Sequence, residues 1–215
     1  MFAIMLVLLT IFITSFLIAL SGALMPGPLL TVTVSETTRR GLAAGPLLIV
    51  GHGLLELVLV IALLLGLGPV LRQEWVFITS STAGSVILIW MAIGMFRALP
   101  SLSLEFNGDE SGKGNLLISG ALLSIANPYW TIWWVSIGLG YILHSFEFGK
   151  IGVFTFFTGH ITADMLWYSA VSVTVWKGRA FLSDRTYRSL ISFCAVFLLL
   201  FSCYFAYSGM KKLLF

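Results

Sequence analysis

Apolar residues along this chain fall into six long runs separated by short polar stretches. The runs are Phe2 to Met25, Gly45 to Leu67, Trp75 to Phe96, Leu116 to Leu143, Ile151 to Val175 and Ser189 to Met210. Each is close to the ~20 residues a helix needs to cross the hydrocarbon core of a bilayer. The pattern predicts an all-α integral membrane protein with six transmembrane helices. The longest polar stretch, residues 101–115 (SLSLEFNGDESGKGN), reads as a solvated cytoplasmic linker. It divides a first three-helix half, residues 1–100, from a second, residues 116–215.

Two runs carry breakers. Pro26-Gly27-Pro28 closes the first, and Asn127-Pro128 sits inside the fourth. Proline removes a backbone donor and crowds the preceding turn, and the residue before it avoids the helical region. Helices one and four are therefore expected to be broken at corresponding places. Further correspondences follow in the same order. Gly51-His52-x-x-x-Glu56 matches Gly159-His160-x-x-x-Asp164, and Gly94-Met95 matches Gly209-Met210. Three ordered matches argue for duplication. Three helices per half is an odd number, so the second copy enters the membrane from the other side. The prediction is two inverted three-helix repeats, with a binding site where the broken helices meet.

His52, Glu56, His160 and Asp164 are the ionisable residues placed deep in the apolar runs. Positions four apart share a helix face. Each ionisable group at mid-bilayer costs a few kcal/mol at least, so a matched pair of His/acid pairs marks a function. Two chemistries fit. Imidazole titrates near neutral pH and pairs with a carboxylate as a proton relay. Two imidazoles and two carboxylates also form a ligand set for a divalent transition metal. Beside the second breaker lies an aromatic cluster, Tyr129, Trp130, Trp133 and Trp134. Cation–π attraction would let it line a site. The expectation is that most of its members face lipid or the membrane interface.

Composition narrows the classes. The chain is 59% hydrophobic and 10% charged, with mean hydropathy +1.02, which excludes an ordinary soluble domain. No phosphate-binding loop, HExxH or GxSxG pattern occurs, so neither an ATPase nor a hydrolase is indicated and no cofactor is implied. The N-terminal run lacks a basic start and is expected to remain as the first helix. Cys194 and Cys203 fall in one helix on opposite faces and are read as packing residues. Basic residues are unevenly spread. Arg39, Arg40, Arg97, Lys113, Lys177, Arg179, Arg185 and Arg188 follow helices one, three and five. Only Arg72, Lys150, Lys211 and Lys212 lie on the other side. By the positive-inside rule the first set faces the cytoplasm. This is a topology signal, with no nucleic-acid footprint.

With these features the chain resembles the LysE/RhtB family of amino-acid exporters, within the LysE superfamily. The matching residues are Ser21-Gly22 leading to Pro26-Gly27-Pro28, then Gly41 and Gly45, and Asn127-Pro128 in the fourth run. The resemblance spans the whole length. It implies a secondary transporter of the cytoplasmic (inner) membrane that exports amino acids or related small zwitterionic metabolites, coupled to protons or another cation. It also implies that Pro26, Gly27, Pro28, Asn127 and Pro128 lie next to the substrate. The superfamily includes metal-efflux branches, so a divalent-metal exporter using His52, Glu56, His160 and Asp164 is the alternative. A non-transporting membrane scaffold or enzyme subunit is the third reading. The partners expected are a small-molecule or ion substrate and the lipid bilayer; glycine-rich faces would also permit a homodimer.

The charge split yields a first expected outcome. A reporter active only in the cytoplasm, fused after Phe215, stays inactive because both termini lie outside. Strong activity from that fusion would reverse the topology.

Overall fold

The computed structural model describes residues 2–71, 73–101, 114–178 and 183–214, and these form eight helices. Helix α1 is Phe2–Ala23 and α2 is Pro28–Arg40. Helix α3 starts as Ala44–Ala62, kinks within Leu63–Leu67 at Gly66 (φ +102°) and ends with Gly68–Leu71. Helix α4 is Glu74–Ala98, and α5 is Leu116–Ile125. Helix α6 is Pro128–Trp133, carried on through Trp134–Gly138 and Leu139–Phe146. Helix α7 is Gly149–Gly178 and α8 is Asp184–Leu214.

Among the described residues, four stretches are long and apolar enough to cross a membrane: Ala3–Ala23, Ala44–Val70, Glu74–Ala98 and Asp184–Leu214. The fourth apolar run is split, leaving α5 only ten residues long. Helix α7 is longer, at 30 residues, but carries Lys150, His160, Asp164 and Lys177 among its apolar positions. Large apolar side chains stand on the outer surface, among them Leu65 (83% exposed), Trp90 (75%) and Leu200 (65%). In water such a surface would drive aggregation; in a bilayer it is the lipid-facing coat. The chain is a multi-pass integral membrane protein.

Both breakers act as expected. Gly27 is the extended residue before α2, and Pro28 takes the first helical position, where a missing N–H costs nothing. Asn127 does the same for α6 with Pro128 next. Its side chain adds a cap by accepting from the Tyr129 N–H at 3.1 Å. Chain direction follows from the cross-contacts. Phe12 lies beside Gly159, and Thr37 Oγ1 meets Ser172 Oγ at 3.0 Å. The α1–α2 segment therefore runs parallel to α7. Helices α3 and α5 also run parallel, since Leu48 abuts Gly120 and, farther along both, His52 Nδ1 meets Ser124 Oγ at 2.6 Å.

The helices pair as α1 with α7, α3 with α5, and α4 with α8. Glycines set the first two separations. A methyl group on Gly51 would run into the Leu117 carbonyl, and one on Gly159 into the Phe12 backbone. The glycine before each histidine thus lets a neighbouring helix touch backbone to backbone, as small residues do in membrane interfaces. At the Arg39-Arg40 end a polar layer ties the bundle. Ser172, fully buried, also accepts from the Gly45 N–H (3.1 Å), and Thr38 Oγ1 meets the Tyr187 hydroxyl (3.2 Å). The linker at 101–115 lies, for residues 102–113, outside the described residues. Cys194 is buried and Cys203 exposed, neither in a disulfide, in keeping with opposite helix faces.

Gly51→Ala is expected to destabilise the protein by about 1–3 kcal/mol, because the added methyl meets backbone with nowhere to move. Gly94→Ala, where nothing lies within 4 Å, should leave stability unchanged or slightly higher. Thermal melts of the two variants in detergent test the pair. Equal midpoints would mean the close approach carries no constraint.

Candidate functional site

The His52 and Glu56 pair on α3 and the His160 and Asp164 pair on α7 converge in the interior. Their exposures are 7%, 1%, 4% and 5%. One ligand-type atom from each lies within 4.8 Å of all the others. His52 Nε2 is 3.1 Å from Glu56 Oε1 and 3.6 Å from Asp164 Oδ2. His160 Nε2 is 3.0 Å from Glu56 Oε2 and 3.5 Å from Asp164 Oδ2. Each imidazole therefore touches its own helix's carboxylate and that of the opposite helix. The four-residue spacing aims each pair inward, and the α3–α7 contact completes the square.

A surrounding set of hydrogen bonds fixes these groups. Ser124 Oγ on α5 donates to the Gly120 carbonyl at 2.7 Å. With its hydrogen so used, it accepts from His52 Nδ1–H at 2.6 Å. His52 is thereby held as the Nδ1–H form, with Nε2 facing the two carboxylates. Trp130 Nε1–H and Trp134 Nε1–H both donate to Glu56 Oε1, at 2.9 and 2.8 Å. His160 is boxed by rings, with centroids 4.8 Å from Trp133, 5.5 Å from Trp134 and 6.0 Å from Phe156. Four polar atoms on this cluster and its wall lack a hydrogen-bond partner: Glu56 Oε2, Asp164 Oδ2, His160 Nδ1 and Trp133 Nε1.

The cluster opens on a cavity with about 680 Å³ of empty space, mouth included. The wall joins all four cluster residues to both helix interruptions, through Met25, Pro26 and Gly27 on one side and Asn127 on the other. The interruptions are neighbours, since a methyl on Gly27 would sit 3.7 Å from Asn127 Nδ2. Pro28 and Pro128 are buried at the helix starts and do not line the cavity; the Pro128 ring packs on Gly84 of α4. Among the described residues, no Lys or Arg lines the cavity.

The expectation that most of the aromatic cluster faces lipid needs correction. Trp133 and Trp134 are buried, at 6% and 1% exposed, and Tyr129, Trp130 and Trp133 line the cavity. The reason is local. The break at Asn127 turns the first turns of α6 toward α3, so indole donors that would be wasted on lipid meet a buried carboxylate. Ser124 was likewise absent from the sequence reading. A serine four residues after a glycine in an apolar run is common, and only the tertiary contact gives it a partner. Tyr168 and Phe201 complete the wall.

Comparison with known proteins agrees with this picture. Residues 20–209 match the family model for the LysE type translocator. Over 181 residues the chain is 30% identical to the "Chemotactic transduction protein ChpE" of Pseudomonas aeruginosa, covering 80% of this chain and 86% of that protein. Over 100 residues it is 29% identical to the "Putative amino acid efflux protein YcgF" of Bacillus subtilis, covering 45% of this chain and 46% of that one. No solved structure matches.

Trp134→Phe removes a donor from Glu56 while keeping most of the ring. A hydrogen bond to a charged group is worth about 1.5–3 kcal/mol, and a loss of stability of that order is expected. Trp130→Phe, at a less buried ring, should cost less. Thermal melts in detergent rank the two, and an unchanged midpoint for Trp134→Phe would mean the indole bond contributes nothing.

Proposed function

This chain belongs to the LysE type translocator family, and from that premise we propose that it exports amino acids or related small zwitterions across the cytoplasmic membrane. The energy comes from the counter-flow of a proton or another cation, since the chain has no phosphate-binding loop. The observation that carries the reading is the single cavity bounded by both helix interruptions and the His52/Glu56/His160/Asp164 cluster. Interrupted helices around a mid-membrane site are where transporters bind substrate.

The wall is suited to opposite charges at its two ends. The rings of Tyr129 and Trp130 and the Asn127 side chain offer the side for an ammonium group. The α2 start has no side-chain cap, so its first amides, near Gly27 and Leu29, favour a carboxylate. The buried, unpartnered Trp133 indole N–H adds a second donor in the wall. The name of the Bacillus subtilis relative also supports an amino-acid substrate.

We read the chain as six spans in two inverted halves. Exchanging the halves maps the α1–α7 pair onto α5–α3, and the α4–α8 pair onto itself. Gly51 and Gly159 then hold equivalent close approaches. This symmetry supports the inverted repeat and, with the basic-residue split, termini outside the cytoplasm.

Flux of labelled amino acids into liposomes that carry the purified protein tests the reading. Glu56→Gln and Asp164→Asn keep shape and remove charge, and each is expected to lower flux at least tenfold. Asn127→Ala combined with Pro128→Ala should do the same by closing the break into regular helix. Wild-type protein that moves no amino acid under any imposed ion gradient would overturn the proposal.

A further inference from the structure

The cluster presents four lone-pair donors to one point. His52 Nδ1 is taken by Ser124, so Nε2 is the nitrogen aimed at Glu56 and Asp164. His160 Nε2 faces the same two carboxylates from the other helix. Asp164 Oδ2 is buried, points into this centre and has no hydrogen-bond partner. Two buried carboxylates held 3.0–3.6 Å from both imidazoles call for positive charge among them, supplied by protons on the imidazoles or by a metal ion. No Lys or Arg is among the described residues that line the cavity.

We infer that His52, Glu56, His160 and Asp164 together bind one divalent transition-metal ion of the zinc type, resident in the protein. Zinc–nitrogen and zinc–oxygen bonds of about 2.0–2.1 Å put neighbouring ligand atoms of a tetrahedron about 3.3 Å apart. The imidazole–carboxylate separations, 3.1 and 3.0 Å to the two oxygens of Glu56 and 3.6 and 3.5 Å to Asp164 Oδ2, bracket that value. Two imidazoles with two carboxylates suit zinc or cobalt better than magnesium or calcium, which prefer oxygen alone. One such ion also cancels the charge of both carboxylates. The outer contacts are those a metal site needs. Ser124 orients one imidazole, and the Trp130 and Trp134 indoles orient Glu56. With two ligands on α3 and two on α7, the ion ties these helices together at the cavity. The inference rests on reading the cluster as a cation site, and not on the identity of the exported molecule.

The test uses full-length protein purified in detergent and stripped with chelator. It is titrated with Zn²⁺ in a calorimeter and with Co²⁺ by visible absorption. One ion per chain and the intense bands of tetrahedral cobalt are expected. Binding should vanish in His52→Ala combined with His160→Ala. Ser124→Ala leaves all four ligands in place and should weaken binding about 10- to 100-fold. Size-exclusion elution and circular dichroism confirm that each variant is folded. The exposed His144–Glu147 pair is the control, and His144→Ala should change nothing. No Co²⁺ or Zn²⁺ binding by wild-type protein, or binding that survives loss of both histidines or depends on His144, overturns the inference. Amino-acid flux by the same preparation reports separately. Flux without metal binding removes the metal site and leaves the exporter. Metal binding without flux does the reverse.

Discussion

Charge in a medium that cannot solvate it is the constraint on which this structure depends. Glu56 is 1% exposed and Asp164 is 5% exposed, in helices otherwise built for lipid contact. These groups are buried and no Lys or Arg is among the described residues that line their cavity, so the chain itself must answer them. It does so with two imidazoles, two indole N–H groups and a serine drawn from three other places in the sequence. A single helix offers each acid just one histidine four residues away. Everything else must come from neighbours, which fixes the relative rotation and height of α3, α5, α6 and α7.

That requirement explains the glycines and the breaks together. Helices carrying bulky residues pack 8–10 Å apart, too far for short side chains such as Asp164 to reach across. At the α3–α7 crossing Gly45 lies against the Tyr168 backbone and Gly53 against Ile161, and these small residues close the gap. The interruptions work in the opposite sense. At Gly27 and Asn127 the chain leaves the helix, and the space next to the cluster opens into a cavity. Close packing on one side and a broken helix on the other give a charged centre that is tightly held yet reachable.

Residues differ in how far their roles could be read in advance. The breakers Pro26-Gly27-Pro28 and Asn127-Pro128 act through their own backbone, so their effect is local and visible in the sequence. The His/acid pairs were visible because their spacing and their cost in lipid do not depend on neighbours. Trp130, Trp134 and Ser124 were not. An indole in an apolar run is as compatible with a lipid interface as with a buried carboxylate, and the two differ only by helix rotation. The rotation of α6 is set by Asn127 and by Pro128 against Gly84, a contact between halves of the chain that no local pattern encodes.

Sequence alone thus determined the helical class, the apolar runs, the two interruptions and the identity of the ionisable residues, because each follows from hydrophobicity or backbone chemistry at one place. Tertiary structure alone decided that the pairs meet and that the interruptions share a cavity with them. It also decided which of four aromatic rings turn inward and which proline faces a helix instead of the cavity. These are matters of distance between segments far apart along the chain. Distance in a membrane bundle is set by small residues at crossings and by the need of buried charge for partners.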